Sequence, residues 1–254
     1  MNTALTIAGS DPSCGAGIQA DLKVFHRLSV YGLSVLSAVT SQNTFTIRAV
    51  RNIEGPFLYE QLNTILDDVR PDALKTGMLV SVDAVRTVAK IVTSYNLQNL
   101  VVDPVILSST GASLLEKKAV AAMREHLFPL AKVITPNIVE ASALADMPVS
   151  DETTMEKAAI ALKQFGPDIV IITGGHLPDE TLEIVYDGTD FHRLHGRKIA
   201  GEFHGTGCAF SAAITALLAK GYSAVDAAGK AREFVRKAIE SALTIGKGMK
   251  LLNL

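Results

Sequence analysis

The chain has 254 residues, 48% of them hydrophobic, and a formal net charge of -2, a length that suits one large domain with a full core. The near-balance of charge gives no basic field for nucleic acid, and every apolar run falls short of the roughly 18 residues that a membrane span needs. Two cysteines cannot build a disulfide framework, and MNTALTIAG lacks the basic region and cleavage site of a secretory signal, so a reducing cytoplasm is the expected setting.

In chain order, TALTIAG from Thr3 reads as a strand ending in glycine. GIQADLKVFHRLS follows with Ile18, Leu22, Phe25 and Leu28 at helical spacing. LSVLSAVTS is the next strand. FLYEQLNTILDDV then puts Leu58, Leu62, Ile65, Leu66 and Val69 on a helical face. DALKTGM, NLVVDP, KVITP and DIVIITGG are short strands separated by helical patterns. TLEIVYDGTDFHRLHGRKIAG reads as an antiparallel hairpin turning at Asp187-Gly188. Two helices close the chain, one from Gly207 and one from Ser223. The alternation predicts an α/β fold, a parallel sheet with helices on both faces and a small antiparallel edge hairpin. The absence of repeats and linkers predicts a single domain over residues 1–254. Ligands of such sheets bind beyond the carboxyl ends of the strands, so the turns there are the places to look.

Four turns stand out. GSDPSCGAGIQA from Gly9 contains a G-x-G-x-x-A match to the dinucleotide fingerprint, but the second strand ends in SQNT, without the acid that would hold a ribose. No Gly-Lys-Ser/Thr closes a phosphate loop either. Its glycines serve a tight turn as well as a binding loop. Gln42, at a strand's carboxyl end, offers a carboxamide that donates and accepts at once, which suits an aminopyrimidine edge; an ordinary polar loop residue would look the same. Asp103 ends an apolar strand, where a carboxylate can serve a metal–phosphate complex. Asn137 and Glu140 in TPNIVEA have the spacing of a capping box, which by itself explains both.

HGTGCAFSAAI, from His204, is the fourth turn. Gly205 and Gly207 let the N–H groups of residues 205 to 208 converge, and the following helix adds its positive end. That is an anion site fit for a phosphoryl group. Cys208 lies in the first helical turn, where a thiol pKa can fall to roughly 3.5–7.5, giving a base or nucleophile. A small buried apolar cysteine is the other reading.

Taken in order, ALTIAGSDP…GAGIQADLK, SQNT, KTGM from Lys75, VVDPV, ITPN…EA and HGTGC…SAAI resemble the hydroxymethylpyrimidine/phosphomethylpyrimidine kinase family of thiamine biosynthesis, within the ribokinase superfamily. The resemblance runs from about Ala4 to the last helix. It implies a ribokinase-like, three-layer αβα sandwich and transfer of the ATP γ-phosphoryl group to 4-amino-5-hydroxymethyl-2-methylpyrimidine and then to its monophosphate. By matching position it implies that Gly9, Ala16, Gln42, Met78 and Val105 line the pyrimidine pocket. Gly205, Thr206 and Gly207 form the anion hole, with Cys208 as the base. Asn137 and Thr173 lie at ATP, and Asp103 and Glu140 at its magnesium. A homodimer is implied, with no nucleic-acid or membrane partner.

Three positions depart from the family's pattern. Cys14 stands for a glycine, and Ser109 and Thr173 stand where lysines are common, which removes positive charge near the phosphates. The rival expectations are a pyridoxal kinase of the same fold, a cysteine hydrolase pairing Cys208 with His204, and a non-catalytic nucleotide sensor.

Overall fold

The computed structural model describes residues 1–106, 115–175 and 180–254. A central sheet is built from β1 (Thr3–Ser10), β2 (Tyr31–Gln42), β3 (Ile47–Asn52), β4 (Ala73–Thr76), β5 (Leu100–Val102), β6 (Val133–Ile134), β7 (Ile169–Thr173), β8 (Glu180–Tyr186) and β9 (Phe191–Arg197). Its order is β3-β2-β1-β4-β5-β6-β7-β8-β9. The six strands from β2 to β7 in that order run parallel; β3 and β8 run opposite to them, and β9 pairs antiparallel with β8. A separate ribbon pairs β10 (Phe203–His204) with β11 (Lys250–Leu251).

The helices are α1 (Gly17–Arg27), α2 (Gly55–Leu66), α3 (Val82–Ser94), α4 (Lys117–Ala122), α5 (Ile138–Ala145), α6 (Glu152–Lys163), α7 (Thr206–Ala219) and α8 (Ala224–Glu240). Period-2 alternation assigns each strand's side chains to two cores. Leu100 and Val102 of β5 face a core shared with α2 to α6, and Val101 faces one shared with α1, α7 and α8. The result is the expected three layers. α7 is apolar all round because it is covered all round: Ala209 to Ala219 are all buried.

The hairpin of β8 and β9 is present, but its connection spans residues 187 to 190, with Asp187 Oδ1 accepting from the N–H groups of Thr189 and Asp190, both at 2.8 Å. A second antiparallel element was not expected. β3 folds back on β2 at the opposite edge, and its six residues are all exposed or half-buried. A strand without a buried face carries no apolar alternation to read. Val69, expected on the second helix, lies beyond its end.

Candidate active site

β1 is flanked by β2 on one side and β4 on the other. The chain reverses its direction of travel across the sheet there, which opens a crevice at the carboxyl ends. The first loop fills that opening around Asp11. Asp11 Oδ1 accepts from Ser13 N–H and Ser13 Oγ, both at 2.8 Å, and Oδ2 accepts from Ala16 N–H at 2.9 Å. This Asx turn forces Cys14 to φ +57°, a left-handed conformation in which a side chain is strained. Gly17 sits at φ +60°, and a Cβ there would lie 2.4 Å from Gly9 O. A Cβ on Gly9 would lie 2.4 Å from Met78 Cε. Gly9 and Met78 therefore touch, with Ala16 at the start of α1 close by.

The fourth turn docks onto the first. Gly205, at φ +82°, is the N-cap of α7, and a Cβ there would stand 1.8 Å from Gly15 O. Only glycine fits this approach. No side chain caps α7, so the first N–H groups after Gly205 have no helical acceptor. Gly207 is exposed with open space over its Cα, whereas Thr206 and Cys208 are half-buried. α1 likewise lacks a side-chain cap, and its Gly17 N–H donates to Cys208 Sγ. Two positive helix ends thus meet at the thiol.

That convergence does not produce the low thiol pKa expected of the first turn. Burial pushes the Cys208 thiol up to about 12; Lys75 pulls it down, and Asp103 and Asp21 push it further up. Desolvation and two carboxylates outweigh one ammonium and one N–H. The thiol is neutral at pH 7.

Beneath it runs a buried polar chain. Lys75 Nζ lies 2.9 Å from Asp21 Oδ1 and 3.9 Å from Asp103 Oδ2. Thr6 Oγ1 donates to Asp21 Oδ2 at 2.6 Å, and Ser211 Oγ donates to Asp103 Oδ2 at 2.8 Å. Burial opposes the Lys75 charge, but Asp21, with Cys208 and Asp103, raises its pKa above the usual lysine value. Asp21 and Ser211 escaped the sequence reading; the available signal was Lys75 itself, a cation in an apolar strand that demands a counter-ion.

Across the crevice, Asn137 Oδ1 accepts from the N–H groups of Val139 and Glu140 at 2.9 and 3.0 Å, while Glu140 Oε2 accepts from Asn137 N–H at 3.0 Å. The capping box is real, and Glu140 also reaches beyond it. Its Oε1 accepts from Ile106 N–H at 3.2 Å, tying α5 to the segment after Asp103. Burial, and then the Asp103 charge, push its carboxyl up to about 7. Thr173 pairs with Asn137 at the end of β7 and is half-buried. Val105 is also half-buried, two residues beyond Asp103. Gln42, at the end of β2, lies by His204, the residue that opens the α7 turn. Ser109 lies outside the described residues. No helix of the described chain is long and apolar enough to cross a membrane.

The sheet order and a pair of uncapped helix ends at one crevice define an α/β protein with an anion site at its strand ends. Residues 11–253 match the model of the phosphomethylpyrimidine kinase family, and the chain belongs to that family. It is 44% identical to the hydroxymethylpyrimidine/phosphomethylpyrimidine kinase of Bacillus subtilis (strain 168), over 96% of this chain and 92% of that one. Among solved structures, an ADP complex of Bacillus subtilis pyridoxal kinase superposes with a TM-score of 0.91 at 39% identity, covering 99% of this chain and 96% of that one. The phosphomethylpyrimidine kinase of Clostridium difficile 630 superposes at 0.84 with 36% identity, covering 94% and 100%. The fold is the expected ribokinase-like one, and the chain is a kinase, which sets aside the hydrolase and sensor readings.

Proposed function

We propose that this kinase phosphorylates 4-amino-5-hydroxymethyl-2-methylpyrimidine at its hydroxymethyl oxygen, and then the monophosphate to the diphosphate, as steps of thiamine biosynthesis in the cytoplasm. One observation supports the reading: the uncapped start of α7 is held against the first loop by Gly205, beside His204, which contacts Gln42, and before Ser211, which donates to Asp103. The substrate oxygen forms a bond to the γ-phosphorus as the bond to the ADP oxygen breaks. The N–H groups at residues 205 to 207 meet the charge on the transferring group, and positioning supplies most of the catalysis. Gly9, Ala16, Met78 and Val105 shape the ring pocket, and Gln42 reads its amino edge.

Cys208 is the base for the hydroxyl proton. Burial holds its thiol neutral at rest, and only the thiolate can take that proton, so the small deprotonated fraction carries turnover and the rate should rise with pH.

Asn137 and Thr173 meet the ATP phosphates. Asp103 and Glu140 fit a magnesium ion carried with them. Both are buried oxygen donors, and the charge of one pushes the other's carboxyl up, so the crevice is short of cation. Bound there, magnesium would neutralise phosphate charge. We also propose one domain over residues 1–254 and a homodimer.

The second reading is pyridoxal phosphorylation, favoured by the likeness to the Bacillus subtilis pyridoxal kinase. An ATP-consumption assay with the pyrimidine alcohol, its monophosphate and pyridoxal separates the two. The pyrimidine alcohol should show the highest kcat/KM; preference for pyridoxal would overturn the main reading.

A further inference from the structure

His204 Nε2 lies 2.8 Å from Asp11 Oδ2, with both side chains buried. It also lies 3.1 Å from the side-chain nitrogen of Gln42. At its other end the Gln42 carbonyl oxygen is 3.3 Å from Thr40 Oγ1, whose hydroxyl donates to Ser10 O at 2.9 Å. Protons can be counted through this set. Burial works against an ionised Asp11, but its bonds from His204 and Ser13 outweigh that and hold the carboxyl below its usual range. The carboxylate has no hydrogen to give, so the hydrogen between it and His204 belongs to Nε2. That nitrogen then has no lone pair for the Gln42 NH2 group. Thr40 has one hydroxyl hydrogen and gives it to Ser10, so it offers Gln42 a lone pair. Both neighbours ask for the opposite amide orientation. A half-turn about the last torsion of Gln42 lets its oxygen share the His204 N–H and its NH2 donate to Thr40.

We propose that the Asp11–His204 pair and the Thr40 hydroxyl fix which way the Gln42 amide faces, and thereby select the ligand edge that the kinase accepts. Asp11, His204 and Thr40 are positioning residues: they act through Gln42. The amide keeps an acceptor on the His204 side and a donor on the Thr40 side. An aminopyrimidine presents a ring acceptor beside an amine donor and matches that order in one orientation. Pyridoxal has a methyl rather than an amine beside its ring nitrogen and cannot present that adjacent acceptor–donor pair. The selectivity half of the proposal rests on the reading that Gln42 meets an aminopyrimidine; the proton arrangement does not.

The test has two arms. In the full chain labelled with 15N-histidine, His204, assigned by its loss in His204→Phe, should show the Nε2–H form at neutral pH. A neutral ring protonated only at Nδ1 would overturn the proposal, whatever the substrate. In the second arm, Thr40→Val and His204→Phe should each lower the ratio of kcat/KM for the pyrimidine alcohol to that for pyridoxal by at least about tenfold, a buried hydrogen bond's worth. With Gln42→Ala already present, neither should change the ratio further. An unchanged ratio in the single variants, or the same fall without Gln42, overturns it. If His204→Phe does not fold, Thr40→Val decides the ratio alone, and the His204 signal is identified by assigning the remaining histidines. A wild-type enzyme inactive on the pyrimidine alcohol would sink the proposed function, while the labelling arm still decides the amide's orientation.

Discussion

Lys75 Nζ and Asp21 Oδ1 lie 2.9 Å apart, and neither side chain has any surface in water. The pair joins β4 to α1 directly under the crevice. Removing Lys75 leaves two buried carboxylates, Asp21 and Asp103, without their cation, which costs about 3–5 kcal/mol, whereas removing Asp21 leaves Lys75 its 3.9 Å contact with Asp103. Lys75→Met should lower the unfolding free energy measured in urea by that much and Asp21→Asn by less, and Lys75→Met combined with Asp21→Leu should recover part of the loss, because Asp103 still lacks its cation. Single substitutions that cost under about 1 kcal/mol would show that water reaches the pair.

The thiol of Cys208 titrates near 12 in the free protein. If it takes the hydroxyl proton, kcat/KM should climb about tenfold per pH unit between 7 and 9. Cys208→Ala should fold, lose at least about 10²-fold in kcat, and show a flat profile. A folded Cys208→Ala enzyme with near-wild-type turnover removes Cys208 from the mechanism.

Thr173 stands beside Asn137, where a hydroxyl brings no charge to a phosphate. Lys75 cannot compensate, because it is fully buried and committed to Asp21. Thr173→Lys should lower KM for ATP or raise kcat, since charge-assisted hydrogen bonds are about twice as strong as neutral ones. The gain should shrink as salt rises. ATP titrations at low and high ionic strength measure it, and a folded lysine variant that is no better at any salt concentration refutes it.

Glu140 titrates near 7 when folded, against 4.5 ordinarily. Between those values the folded chain holds a proton that the unfolded chain has lost. The stability tied to this group is complete below about pH 4.5 and falls by roughly 3 kcal/mol as pH rises through 7. Melting of the nucleotide-free protein at pH 5.5 and 8 should show the decline, and Glu140→Gln should flatten it. An equal slope in the variant would assign the decline to other groups.

Cys14 holds φ +57° in the first loop. Cys14→Gly relieves that strain and adds freedom to the unfolded chain, for a net gain of about 0.5–1 kcal/mol. Denaturant midpoints read the sign, and activity should persist. A destabilised Cys14→Gly would mean that the side chain packs usefully.

Periodicity determined the parallel strands, the two faces of helices and the crevice at the strand ends, because apolar burial imposes a period of 2 or 3.6 on the sequence itself. The glycine turn at Gly205 was legible for a related reason: a close approach of backbone to backbone excludes every side chain, and the residue type records that. The capping box of Asn137 and Glu140 is local, three residues apart, and so was also legible. What only the tertiary structure decided lies between residues far apart in the chain. Asp21 meets Lys75, His204 meets Asp11, and Ser211 meets Asp103 across separations of 54, 193 and 108 positions. The raised thiol of Cys208 belongs with these. A helix start predicts an acidic thiol, but the pKa is set by the charges and the desolvation that folding gathers around it. Electrostatics depend on distance in space and on access to water, and neither is encoded by neighbouring letters.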